Sequence, residues 1–395
     1  MSLQREQSLG QWTVGRITPF PTIIPDRWRL ERLVQVATLE SGHTPSTRID
    51  AYWDGDIPWI SLHDTSDLDG PTISQTKKRI TALGLANSSA RLLPAGTVAF
   101  SRTATVGKAV AMARPMATSQ DFANFVCGER VVPSFLVYLF RYMDREWVRL
   151  MAGSTHNTIY MPVFEALTVM LPPSAEQRAI AEALSDADAL IESLERLIAK
   201  KRAIKQGAMQ DLLSGKRRLP GFTGEWSTSE LATVLSICHG KSQRTVESAD
   251  GPYPIFASGG QIGLSREFLH NEPSVLIGRK GTIDRPRYVD TPFWTVDTLF
   301  FSRVRSHADA KFLYYRFCII EWKQYNEASG VPSLNAKTIE AIEVLLPPLR
   351  EQRAIAAVLT DMDDELDALS AQLDKAHAVK RGMMQQLLTG RIRLV

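Results

Sequence analysis

Cysteine is scarce in this chain, with three in 395 residues. Cys127, Cys238 and Cys318 are odd in number and far apart, so they form neither a disulfide framework nor the paired spacing of a zinc site. They suit a reducing cytosol, and their apolar neighbours predict core positions. No run of apolar residues reaches the length of a membrane span. The opening segment MSLQREQSLG lacks the basic and apolar regions of a secretory signal, so a cytoplasmic location is expected. A dominant charge is missing too. The net charge of +3 divides into +2 for residues 1–170, +2 for 171–219, −1 for 220–345 and 0 for 346–395. Binding to a polyanion would have to rest on local patches or on positive surface added by a partner.

Familiar catalytic signatures are also missing. Gly107-Lys108 is followed by Ala109 and lacks the upstream glycine of a phosphate-cradling loop. The seven histidines show no metal-binding pair at helical spacing. Asp54 with Asp56, and Asp67 with Asp69, read as solvated loops rather than metal carboxylates.

What is present is a repeat. The 49 residues Leu171–Leu219 return at Leu346–Leu394 without a gap, with 24 positions identical. Each copy opens on Leu-Pro-Pro after a short strand-like run, Ala166–Leu171 or Ala341–Leu346. In the first copy Ser174 stands three residues before Gln177, as in a capping box, whereas the second has Leu349 at that place. Ser185-x-x-Asp188 and Thr360-x-x-Asp363 read as second N-caps, where a long helix of about 28 residues, roughly 42 Å, would start.

Beyond them, apolar residues alternate at steps of three and four: Leu184, Ala187, Ile191, Leu194 and Ile198, then Leu359, Met362, Leu366, Leu369 and Leu373. This is a coiled-coil seam. Lys205 and Lys380 fall on it, where a charge weakens packing unless the helices diverge or meet a partner. Gly215 and Gly390 mark the helix ends. Two such helices can pair antiparallel and hold globules apart by about one turn of DNA, roughly 34–36 Å.

The fold expected is α/β: two mixed α/β domains, residues 24–170 and 220–345, separated by two long helices from the repeats 171–219 and 346–395. Residues 1–23 read as a tail. Both globules share landmarks: Trp28 and Trp226, the loops SGHTPS (41–46) and CHGKSQ (238–243), and the strand-loops GTVAFS-RTATVGK (96–108) and SVLIG-RKGTI (274–283). Gln120-Asp121 and Val296-Asp297-Thr298 follow, and the polar loops GSTHNT (153–158) and SGVPS (329–333) close each half.

The doubled LPPxxEQRAIA run with its coiled coil and MxxLLxGxxRL, together with GFTGEW (221–226) and IGRKGT (277–282), resembles the specificity subunit of type I restriction–modification systems. The resemblance covers essentially the whole chain from about Ile24. It implies two target recognition domains, each reading half of a split double-stranded DNA sequence. It also implies helices that set the spacing and dock two methyltransferase subunits, with motor-nuclease subunits joining them. S-adenosylmethionine, ATP and Mg would then serve those partners, and this chain would hold no cofactor and perform no chemistry. The missing Asn/Asp-Pro-Pro-Tyr/Phe loop agrees, because the Pro-Pro pairs here follow Leu171 and Leu346 only. A coiled-coil scaffold, or a degenerate recognition subunit that binds proteins only, is the alternative.

Base reading needs polar side chains on loops held by a rigid scaffold. In the first globule these are His43, Thr44, Ser46, Arg102, Thr103, Lys108, His156 and Asn157. In the second they are Lys241, Ser242, Gln243, Ser258, Gly259, Gly260, Arg279, Lys280 and Thr282. Arg102 and Arg279 are the candidates for bidentate contacts to guanine. Trp53, Trp59 and Trp294 read as core rather than as base-stacking platforms. Lys200, Lys201 and Arg202 suit either a phosphate track or a solvated helix face.

Overall fold

The computed structural model describes residues 24–151 and 157–394, so the expected tail at 1–23 lies outside the described residues. Two compact units make up the chain. One runs to Ser193 and adds Leu373–Val395, and the other is Leu194–Gln372. Each therefore combines one globule with part of both long helices.

In the first unit a five-stranded sheet has the order Ala37–Ser41, Phe122–Cys127, Val98–Ser101, Ala109–Met112, Thr72–Ile73. A second sheet has the order Lys78–Ile80, Trp53–Ile60, Ala117–Thr118, and an antiparallel ribbon joins Arg29–Arg32 to Thr168–Leu171. The second unit repeats this plan without the last edge strand. Its sheets are Leu235–His239, Leu299–Val304, Ser274–Gly278, Arg287–Val289 and Gly260–Ser265, Tyr253–Ala257, Trp294–Thr295. Its ribbon pairs Ser227–Glu230 with Glu343–Leu346.

The strand before each candidate loop is buried on both faces, and its alternating side chains serve two cores. Val98 and Phe100 pack with Phe135, Leu136 and Phe140 of the helix Pro133–Tyr142, while Ala99 joins Ile60, Val110 and Phe122. Val275 and Ile277 face Phe312 and Leu313 in the same way, and Leu276 faces Phe293 and Phe301. Truncating such a core phenylalanine typically costs about 3–5 kcal/mol, which is why the loops above these strands have a stiff base. The cysteines are less covered than expected: Cys127 and Cys238 are half-buried and Cys318 is exposed. Asp54 and Asp56 lie exposed in the strand Trp53–Ile60 rather than in a loop.

The long helices run unbroken over Ser174–Leu213 and Leu349–Leu387, 40 and 39 residues. That is longer than the sequence suggests, and no new helix starts at Ser185 or Thr360. The aspartates that imitate caps there are used over long range. Asp188 accepts a hydrogen bond from the Tyr138 hydroxyl at 2.8 Å and pairs with Lys380. Asp363 accepts from the Tyr315 hydroxyl at 2.7 Å and pairs with Lys205. The seam lysines thus meet an aspartate and a tyrosine ring, with Lys205 5.6 Å from the Tyr315 centroid and Lys380 5.9 Å from that of Tyr138. Burial, reinforced by the neighbouring aspartate, pushes both phenols up from their ordinary value.

The capping box at Ser174 does not form either. The Gln177 amide nitrogen donates to the Pro172 and Arg130 carbonyls, each at 2.8 Å, and its oxygen accepts from the Val132 amide at 2.8 Å. Gln352 does the equivalent work with Pro347 and Asp309. A glutamine that ties the helix start to the globule replaces the cap in both copies.

Within each unit the start of one long helix lies antiparallel to the end of the other. In the first, Glu176 and Asp188 meet Arg393 and Lys380. In the second, Glu351 and Asp363 meet Arg218 and Lys205. Leu184 packs in one cluster with Leu387, and Leu359 with Leu212, as the seam predicts. The glutamates, each 1% exposed at the side chain, also accept from an indole: Trp28 to Glu176 at 3.1 Å and Trp226 to Glu351 at 3.0 Å. Gly215 and Gly390 end the helices at φ +73° and +69°, the left-handed turn that glycine adopts without strain.

Candidate nucleic-acid interface

Several loops converge in each unit, the closing loop of residues 24–170 being described from Asn157 onward. The first follows the strand Ala37–Ser41 and passes so close to the chain at Thr118–Ser119 that a Cβ on Gly42 would stand 2.0 Å from the Ser119 carbonyl. The His43 amide donates to the Thr118 carbonyl at 2.9 Å, and the His43 carbonyl accepts from the Trp59 indole at 3.0 Å. Trp53 donates to the Ser46 carbonyl at 3.1 Å and meets Trp59 edge-on at 5.0 Å. The Thr44 hydroxyl donates to the Gln120 side chain. The tryptophans are therefore posts that hold this loop, and the expectation of packing over base stacking fits their contacts.

The second unit builds the equivalent loop with different side chains. A Cβ on Gly240 would meet the Val296 carbonyl at 2.0 Å. The Lys241 amide donates to Thr295 at 2.8 Å, and its carbonyl accepts from the Trp294 indole at 2.9 Å. Lys241 and Ser242 are exposed and Gln243 is half-buried. Backbone geometry is shared, while the outward side chains, His43-Thr44 against Lys241-Ser242, differ.

The strand-loop residues are stapled to the closing loops. Thr103 bridges Thr158, the Ala104 amide donates to Asn157 at 3.2 Å, and the Ile159 amide to Arg102 at 2.9 Å. Lys280 bridges Ser333, the Gly281 amide donates to Pro332 at 2.9 Å, and the Leu334 amide to Arg279 at 2.9 Å. Ala104 and Gly281 hold equivalent places, both left-handed, at φ +58° and +86°. Ser258 adjoins this loop, since a Cβ on Gly281 would lie 3.4 Å from its hydroxyl, and Gly259 and Gly260 carry the turn beside it. Thr282 is half-buried, its carbonyl held close beneath Gly278.

The guanidinium groups expected to reach bases are engaged within the loops. Arg102 donates from Nε to the Gln120 carbonyl at 3.0 Å and from Nη1 to the Ile159 carbonyl at 3.4 Å. Arg279 donates from Nη1 to the Asp297 carbonyl at 3.3 Å. Both brace two loops against each other. Lys108 points away from the cluster, donating to the Thr65 carbonyl at 3.0 Å and pairing with Asp69 at 2.8 Å. His156 lies outside the described residues. On the long helices Lys201 pairs with Glu365 at 2.6 Å, while Lys200 and Arg202 are exposed.

Each unit thus presents a braced cluster of polar side chains and loop backbone: half-buried His43, Thr44 and Thr103 with exposed Asn157 in one, and exposed Lys241, Ser242 and Lys280 with half-buried Ser258 in the other. Sequence reasoning missed Arg285 and Lys323, which with Thr282, Asn326 and Pro332 line a cleft beside the second cluster. They have no counterpart at matching spacing that would have flagged them. Among the described residues no helix is long and apolar enough to cross a membrane.

Comparisons with known proteins agree with this architecture. The family model described as type I restriction modification DNA specificity domain matches twice, over residues 25–201 and 223–376. The MjaIX type I restriction enzyme specificity subunit of Methanocaldococcus jannaschii is 22% identical, over 94% of this chain and 95% of its own length. Among solved structures, the type I S subunit from M. genitalium aligns with a TM-score of 0.64 at 16% identity, covering 92% of this chain and 96% of that one. The HsdS subunit from Thermoanaerobacter tengcongensis aligns at 0.52 and 19%, covering 94% and 98%. At these identities the structural likeness speaks for the fold alone.

Proposed function

The chain belongs to the type I restriction–modification DNA specificity family, and from that premise we propose that it reads a bipartite double-stranded DNA target, one half-site per globule. The globules 24–170 and 220–345 act as the two target recognition domains. The observation that carries this reading is the pair of equivalent loop clusters, held by the same backbone contacts yet carrying different outward side chains. A shared scaffold with exchanged reading groups suits two half-sequences that differ from each other.

In this reading the repeats 171–219 and 346–395 set the spacing between the half-sites and dock two methyltransferase subunits. Leu197 and Ile204, seven residues apart on the first long helix, keep 38% and 48% exposure and suit an apolar partner surface. The chain contributes recognition and no catalysis. S-adenosylmethionine, ATP and Mg belong to the methyltransferase and motor-nuclease partners, and the assembly works in the cytoplasm. The near-neutral chain gains its phosphate affinity from those partners, so salt weakens binding in proportion to the phosphates neutralised.

Genome-wide adenine methylation, in cells carrying this chain with and without its methyltransferase partner, tests the proposal. A split motif that needs both proteins supports it. A formed complex without methylation would point instead to a degenerate subunit or a scaffold.

A further inference from the structure

The loop that closes the second globule presents an apolar residue to solvent on a rigid frame. Val331 is 66% exposed, the highest value among the exposed large hydrophobic residues that are described. Its loop is built, not slack. The Asn326 side chain accepts from the Ala328 and Ser333 amides at 3.2 and 2.9 Å and donates to the Ala328 carbonyl at 2.8 Å. The Glu327 amide donates to the Ser333 carbonyl at 3.0 Å, and the Gly281 amide to the Pro332 carbonyl at 2.9 Å. Thr338 donates to the Glu327 carboxylate at 2.6 Å. The tip is therefore fixed against the strand-loop that carries Lys280 and Thr282, and next to it lies the cleft lined by Arg285 and Lys323. A β-branched side chain held out by so many bonds, beside a cleft that carries Arg285 and the Lys323–Asp284 pair, suits an apolar spot on a base edge. In a DNA major groove the apolar feature of a base edge is the thymine 5-methyl group.

We propose that Val331 is a specificity-determining residue whose side chain packs against the methyl group of one thymine in the half-site read by the second globule. This rests on the reading of that globule as a half-site reader. Exposed Lys280 and Arg285 hold the backbone nearby, Lys323 being paired with Asp284 at 3.6 Å, while Val331 distinguishes thymine from cytosine at one position.

Two measurements on the full chain with its methyltransferase partner test it. First, the methylation motif of Val331→Ser is compared with that of the unaltered chain. The expected result is relaxation of one thymine to thymine or cytosine in a single half-site, the other half being unchanged. Second, binding is measured to target duplexes in which each thymine of that half is replaced in turn by deoxyuridine, which lacks only the methyl. One replacement should weaken the unaltered complex about four-fold, the worth of one buried methyl, and should leave Val331→Ser binding unchanged. A normal half-motif that Val331→Ser does not alter, or equal binding to every deoxyuridine duplex, overturns this proposal and leaves the half-site reading intact. Absence of any split motif with the unaltered chain overturns the half-site reading, and this proposal with it.

Discussion

The guanidinium of Arg393 forks onto both carboxylate oxygens of Glu176, at 2.5 and 2.8 Å, across 217 residues of sequence. Arg218 does the same to Glu351 at 2.6 and 2.7 Å. Both glutamates are buried, so removing an arginine leaves a carboxylate without its counter-charge. Loss of one partner of a buried pair typically costs about 3–5 kcal/mol. Arg393→Ala should destabilise the unit that contains Trp28, and Arg218→Ala the unit that contains Trp226, each by about that amount. Denaturant unfolding followed by tryptophan fluorescence checks this, and equal loss in both units from either variant would contradict it.

The tyrosine–aspartate–lysine sets should act as coupled groups. Tyr315→Phe removes the 2.7 Å hydrogen bond to Asp363 and should cost about 1–2 kcal/mol. Exchanging Asp188 and Lys380, as Asp188→Lys with Lys380→Asp, should recover part of the stability that either single reversal loses. A double-mutant cycle gives the coupling, and a coupling near zero would show that the pair does not set the helix register.

Ala104 carries a left-handed backbone where the other unit has Gly281. A non-glycine residue in that region costs roughly 1–2 kcal/mol, partly offset by the extra freedom glycine has when unfolded. Ala104→Gly should stabilise the first unit by about 0.5–1 kcal/mol, and Gly281→Ala should destabilise the second. Unfolding midpoints of the two variants should shift in opposite directions.

Arg102 joins two loops through backbone carbonyls, so Arg102→Ala should loosen the cluster instead of erasing one base contact. Methylation of the half-site proposed for residues 24–170 should fall across all its positions, with the other half preserved. Gly42→Ala, which forces a Cβ against the Ser119 carbonyl, should give the same pattern. Relaxation at a single guanine after Arg102→Ala would restore a direct reading role.

His270 is buried beside Phe293 and Phe301 with no partner for Nε2, and burial lowers its pKa from the ordinary 6.5, against the pull of Glu272. The folded unit favours the neutral ring, whereas the unfolded chain takes up a proton near its ordinary pKa. The stability from this site is complete above about pH 6.5 and is lost as pH falls below that value toward the folded pKa. His270→Phe should flatten the acid side of the urea midpoint of this unit relative to the unaltered chain.

Much of the fold is legible in the sequence because the repeat is gapless and the seam recurs at heptad spacing. The helix starts are hidden in the sequence because Ser185, Asp188, Thr360 and Asp363 imitate local caps, while the aspartates serve partners far along the chain. The lysines on the seam mark a place where the helices diverge or meet a partner, but periodicity carries no information on residues 158 or 192 positions away. The candidate loops are visible as matched landmarks around Gly42 and Gly240. Whether an arginine there faces outward or braces its own backbone depends on carbonyl positions that no residue pattern encodes. Val331 escaped notice because a lone valine in a polar loop has no periodicity to mark it.

The split of both long helices between the units makes the genetic map cross over. Lys205 and Arg218 are encoded with the first repeat but secure the globule that follows it, and Lys380 and Arg393 are encoded with the second repeat but secure the globule that precedes the first. A deletion of codons 373–395 would therefore strike the half of the target proposed for residues 24–170, the globule farther from the lesion along the gene.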